Sequence, residues 1–158
     1  MENLKNVVSI VNTKNSTEKG NITPIEKVLY TGKVHTIGGR TGESKSSDGN
    51  LDIILTSPGI GKGTNPEQLF AAGWSACYIG ALGGAARAME IKLPADLSVD
   101  AEVDLGSAEG GYFLQARLNV SIPGIDREIA KQLVTQAHAT CPYSKLTKGN
   151  IDVEINLI

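Results

Sequence analysis

Residues 65–86 read NPEQLFAAGWSACYIGALGGAA, and the assignment of this stretch decides the fold. It opens on a helix entry signal, with Asn65 as N-cap, Pro66 at the first helical position and Glu67 in the first turn. From Gln68 to Ala86 there is no charged side chain, and the run is about as long as a membrane span. Its content points elsewhere. Most members are Ala, Gly and Ser, and only Leu69, Phe70, Trp74, Ile79 and Leu82 are large apolar groups. That suits a helix packed closely by neighbouring protein, running to about Glu90, better than one facing lipid.

Outward from this helix the pattern turns to strands. Upstream, Val28, Tyr30 and Val34 fall at even spacing and predict a strand that places Arg40 at its end, followed by a hairpin turning at Asp48-Gly49 or Gly49-Asn50. Downstream, Leu97 to Leu105 and Leu114 to Ile122 alternate apolar and polar residues and predict two half-buried strands joined through Gly110-Gly111. Ile129, Leu133 and Ala137 recur every four residues in DREIAKQLVTQAHAT, a second, amphipathic helix that stops at Cys141-Pro142. In the closing NIDVEINLI, residues Ile151, Val153, Ile155 and Leu157 share one face. Strands come in blocks rather than alternating with helices, so the expected class is α+β with mostly antiparallel sheet. Residues 1–22, rich in Asn, Lys, Thr and Ser, read as a loosely held extension ahead of one domain over 23–158.

The totals exclude several function classes. A chain of 158 residues with net charge -2 gives no electrostatic case for nucleic acid or an acidic membrane. The amino terminus lacks the basic and apolar regions of a secretory signal, which makes a cytoplasmic, reducing location the expectation. Two cysteines in such a compartment are free, metal-bound or catalytic rather than a permanent staple. GIGKGT from Gly59 invites a phosphate-loop reading, but Lys62 is followed by Gly63 where that loop needs Ser or Thr. His35 and His138 lack metal-ligand spacing and are read as surface or satisfied side chains.

Cys77 alone is best read as core filler, because free cysteine behaves as a small hydrophobe. Cys141 differs: it precedes Pro142 in CPYSKLTKG, where it would be the N-cap of a new turn, and a helix dipole there favours a thiolate. TNPEQLFAAGWSACY together with ATCPYSKLTKGNIDV, preceded by LYTGKVHTIGGRTG, closely resembles the organic hydroperoxide resistance proteins of the Ohr/OsmC family. The resemblance spans roughly Ile25 to Ile158. It implies antiparallel sheets wrapped around a long buried central helix in an intertwined homodimer. It also implies Cys77 as the peroxide-reacting thiol, Cys141 as its resolving partner, and Arg40 and Glu67 as accompanying site residues.

The activity so implied is reduction of alkyl or fatty-acid hydroperoxides through a Cys77 sulfenic acid and a Cys77–Cys141 disulfide. No cofactor is expected to be bound. The chain has no CxxC, flavin or nicotinamide fingerprint, so electrons come from outside, and the resemblance points to dihydrolipoyl groups on a lipoylated protein. An OsmC-type peroxidase of broader peroxide preference, a non-catalytic redox sensor and a structural domain with inert thiols are the competing readings. A cysteine with pKa about 8.5 is only a few per cent ionised at pH 7, and burial makes this worse, so the chemistry needs a fixed cation such as Arg40 held by Glu67. Yet Glu67 and Cys77 are ten positions apart, about 15 Å along one helix axis. Either Arg40 spans that gap, or the helix breaks near Gly73, or Glu67 serves the cysteine of a second subunit. Among Phe70, Trp74, Ile79 and Leu82, some are expected to pack the core and some to line an apolar substrate pocket.

Overall fold

The computed structural model describes residues 22–158; the extension expected over 1–22 lies outside this range except for Ile22. The chain divides into a unit Met1–Lys33 and a unit Val34–Ile158. In the first, residues 22–33 carry neither helix nor strand. The strand expected through Val28 and Tyr30 is therefore corrected: among the described residues, pairing begins at Val34. Apolar alternation supplies a face, but a strand also needs a neighbour for its N–H and C=O groups.

In the second unit, β1 (Val34–Ile37), β2 (Glu43–Ser46) and β3 (Asp52–Ile54) form an antiparallel sheet in that order. The β2–β3 hairpin turns where expected, with Gly49 at φ 75° and the Asp48 carboxylate accepting the Asn50 N–H at 3.0 Å. α1 (Pro66–Ala88) follows, capped by Asn65, whose side chain accepts the Gln68 N–H at 2.9 Å. β4 (Ser98–Ala108) and β5 (Gly111–Ser121) make a long antiparallel hairpin. α2 (Arg127–Thr140) and α3 (Pro142–Thr147) then carry the chain across to β6 (Asp152–Leu157). β6 lies parallel to β5, with Leu118 beside Ile155. This one parallel ladder requires a crossover, and the two helices supply it.

The core lies between α1, α2 and the inner face of the second sheet. Trp74, Tyr78, Leu82 and Ala85 are spaced along one side of α1 and meet Ala116, Leu118 and Val120 of β5 and Ala130, Leu133 and Ala137 of α2. On the outer sheet face Arg117 reaches Glu102 at 2.7 Å and Asp104 at 2.8 Å, which holds the Asp104 carboxyl down at about 2. By length and composition α1 could cross a membrane, but here its Trp74 side is core. Within one chain it is buried on that side only, for Ala72, Ala76, Ile79 and Gly80 are exposed.

α2 ends where Pro142 disfavours the helical region for the residue before it. Cys141 takes φ -61°, ψ 123°, closing α2 through its N–H to the Ala137 carbonyl at 2.8 Å and preceding the first residue of α3. Inside this junction the Trp74 indole N–H donates to the buried Ser144 hydroxyl at 3.2 Å. Trp74→Ala is expected to cost ~3–5 kcal/mol in denaturant unfolding through the cavity it leaves. Trp74→Phe should cost ~1–3 kcal/mol, since Ser144 then loses its donor.

Candidate functional site

The four residues singled out from sequence assemble as two separate pairs. Cys77 lies mid-helix in α1, and Cys141 occupies the corner between α2 and α3. Their sulfurs stand 3.7 Å apart, Cys141 fully buried and Cys77 partly accessible; both are free thiols. Burial pushes the Cys77 thiol up, the neighbouring Cys141 adds to this, and the backbone N–H of Tyr143 facing the sulfur works the other way. None of these groups is cationic.

Arg40 sits in a 3-10 turn, Gly39–Thr41, between β1 and β2. The turn is made by its glycines: Gly38 has φ 71°, and a Cβ on Gly42 would lie 1.9 Å from the Ile37 carbonyl oxygen. The guanidinium meets Glu67 as a fork, Nη1 to Oε1 at 3.0 Å and Nη2 to Oε2 at 2.7 Å. The fork holds the Glu67 carboxyl below the ordinary carboxylate range and raises Arg40. Arg40 remains 44% exposed and Glu67 12%.

α1 runs without a break from Pro66 to Ala88, so of the three alternatives an interruption near Gly73 is absent. Glu67 and Cys77 keep their full helical separation, about 15 Å. Such a distance exceeds a Debye length of about 8 Å, and Arg40 is not among the groups that shift the Cys77 thiol. Cys141 occupies the N-cap position of α3, as expected; its thiol makes no cap bond and is buried in the core.

The apolar residues of α1 divide between the core and more open positions. Trp74 and Leu82 are wholly buried, Ile79 is exposed, and Phe70 is half-buried against Trp74 and Tyr143 at ring separations of 5.5 and 5.9 Å. An open groove of about 430 Å³ lies beside Glu67 rather than Cys77, walled by Ala71, Ala101, Val103 and Leu105. His35 is exposed. The Nδ1 of His138 is buried and has no hydrogen-bond partner among the described residues, so the expectation of a surface or satisfied side chain fails there. Sequence reading passed over Tyr143 and took up Gly73 only as a point where the helix could break; their other signal was their place inside the CPY and AAGW motifs.

The chain has known relatives. A family model described as OsmC-like protein matches residues 59–156, which include Glu67, Cys77 and Cys141 but not Arg40. An organic hydroperoxide resistance protein of Xanthomonas axonopodis pv. citri is 46% identical over 137 residues, covering 84% of this chain and 96% of that protein. The crystal structure of OhrB of Bacillus subtilis superposes with TM-score 0.78 at 43% identity, over 83% of this chain and 100% of that one. That of an organic hydroperoxide resistance protein from Elizabethkingia anophelis gives 0.77 at 39% identity, over 83% and 97%. Motifs, fold and relatives agree, and the chain belongs to the Ohr/OsmC family of organic hydroperoxide resistance proteins.

Proposed function

We propose that the chain is a cysteine-based peroxidase for organic hydroperoxides. The observation that carries this reading is the 3.7 Å contact between a partly accessible thiol and a buried one on different elements. The Cys77 thiolate attacks the outer peroxide oxygen, the O–O bond breaks, and the departing alkoxide takes a proton to leave as alcohol. Cys77 is then a sulfenic acid. The Cys141 sulfur attacks it, an S–S bond forms, the S–O bond breaks, and hydroxyl and thiol proton leave as water. An external dithiol, of the dihydrolipoyl class by family resemblance, reduces the disulfide and returns both thiols. A reducing, cytoplasmic setting fits two cysteines held as thiols between cycles.

Among the described residues of one chain, no cation is among the groups acting on the Cys77 sulfur. We assign that role to Arg40 and Glu67 of a second copy in a homodimer. Three features support this: α1 is unbroken, the fork is partly open to solvent, and the apolar and small residues Ala72, Ala76, Ile79 and Gly80 lie exposed on α1. A guanidinium fits the task because it stays protonated and can hold a carboxylate while aiming an N–H at sulfur or peroxide oxygen. The carboxylate is what keeps it in place.

Peroxide consumption driven by dihydrolipoamide tests the reading, with cumene hydroperoxide expected to react faster than hydrogen peroxide. Cys77→Ser should abolish turnover, and unchanged activity would end the assignment. Stoichiometric oxidation of wild type without repeated turnover would identify a sensor instead. Cys141→Ser should react once and then accumulate sulfinic Cys77 by mass spectrometry. Arg40→Ala should lower kcat/KM by about 10²–10³ and raise the pH midpoint of Cys77 alkylation.

Mixed dimers of Glu67→Ala and Cys77→Ser chains should regain activity, since one of the two sites is then intact; no recovery rules out a shared site. Glu67 has a lowered carboxyl pKa, so its pairing with Arg40 is complete above the ordinary value of about 4.3 and is lost as pH falls through the folded-state value. The acid limb of kcat/KM assigned to the fork should therefore lie below the ordinary carboxylate range. Glu67→Gln should remove that limb.

A further inference from the structure

α3 is seated on α1 at two consecutive residues, one helical turn before Cys77. Trp74 holds Ser144 through its indole N–H. Beside it, the Tyr143 ring lies over Gly73: a Cβ there would fall 2.9 Å from Oη, 3.3 Å from Cζ and 3.6 Å from Cε1. Gly73 is inside an unbroken helix and is not among the glycines with positive φ. The backbone thus gives no reason for glycine, which costs about 1 kcal/mol against alanine in a helix interior. Elsewhere on α1, Gly80 and Gly84 have nothing within 4 Å of a built Cβ. The three atoms nearest a Cβ at Gly73 all belong to Tyr143, two residues beyond Cys141.

Gly73 and Cys77 are four residues apart on α1 and so lie on one side of the helix. The height of the Tyr143 ring above Gly73 therefore sets the height of the Cys141–Tyr143 corner above Cys77. We propose that Gly73 is a positioning residue for the thiol pair: its missing side chain lets Tyr143 lie on α1, which brings the Cys141 thiol up to the Cys77 sulfur. This rests on the peroxidase reading for its functional meaning, but the geometry it asserts is independent of that reading.

A methyl group at position 73 lifts the ring and carries the corner away from Cys77. After one equivalent of cumene hydroperoxide, Gly73→Ala should form the Cys77–Cys141 disulfide more slowly by about 10- to 100-fold, the range expected for misplacement near 1 Å, and trap more sulfinic Cys77. In a Cys141→Ser background, Gly73→Ala should also shift the pH midpoint of Cys77 alkylation by iodoacetamide upward, because the Tyr143 N–H retreats. Tyr143→Phe removes the atom that a new Cβ meets first, so Gly73→Ala/Tyr143→Phe should recover towards the Tyr143→Phe parent in both measurements. Should Gly73→Ala fail to fold, Tyr143→Ala, which unseats the corner, is expected to show both defects. Unchanged disulfide rate and alkylation midpoint in a folded Gly73→Ala or in Tyr143→Ala, or no recovery in the double variant, overturns the proposal. Alkylation needs no peroxide: a wild type inert to hydroperoxide would defeat the peroxidase reading while the alkylation series still judges Gly73.

Discussion

Everything at the thiol pair depends on Pro142. Because proline lacks an N–H and its ring crowds the residue before it, α2 cannot continue past Thr140, and Cys141 is forced into extended backbone. The chain restarts as α3 in a new direction, with backbone N–H groups free at its first turn. That single corner does three things together. It buries the Cys141 thiol in the core, directs the Tyr143 N–H at Cys77, and lays Tyr143 and Ser144 on the side of α1 that carries Gly73 and Trp74. A continuous helix would offer none of them.

The site also has an internal conflict between burial and ionisation. The packing that partly desolvates Cys77 raises its pKa, the opposite of what the proposed nucleophilic role needs. One backbone N–H is a partial answer, since it carries only a fraction of a charge. The full charge is on Arg40, already forked to Glu67 at the other end of about 15 Å of helix. The two pairs are complementary in chemistry and separate in space, and an assembly of two chains is the simplest arrangement that lets one complete the other.

Much of the fold is legible in the sequence. The Asn65-Pro66-Glu67 entry of α1, the Gly110-Gly111 hairpin, the four-residue period of α2 and the stop at Cys141-Pro142 all stand where local rules put them, because each is fixed by backbone chemistry within a few residues. Val28 and Tyr30 misled, because alternation describes a face and says nothing of a pairing neighbour. The parallel placement of β6 was equally hidden, for the pattern in NIDVEINLI is the same in either direction. At the site, residue types and the Glu67–Cys77 spacing were readable, and that spacing held because α1 is straight. The fit of Tyr143 over Gly73 was not, since it joins residues 70 positions apart through shape alone.

The crossover to β6 also has a consequence for folding. Cys77 and Cys141 are 64 positions apart, and the segment carrying Cys141 packs on α1 before the chain continues into the β5–β6 ladder. Contacts of such long range form late, since loop closure precedes any gain from them. A chain emerging from synthesis therefore holds Cys77 on a completed α1 well before its partner thiol exists nearby. Cross-linking of the two sulfurs would be a report on topology: it requires α2 and α3 docked on α1, and so would count folded molecules rather than thiols.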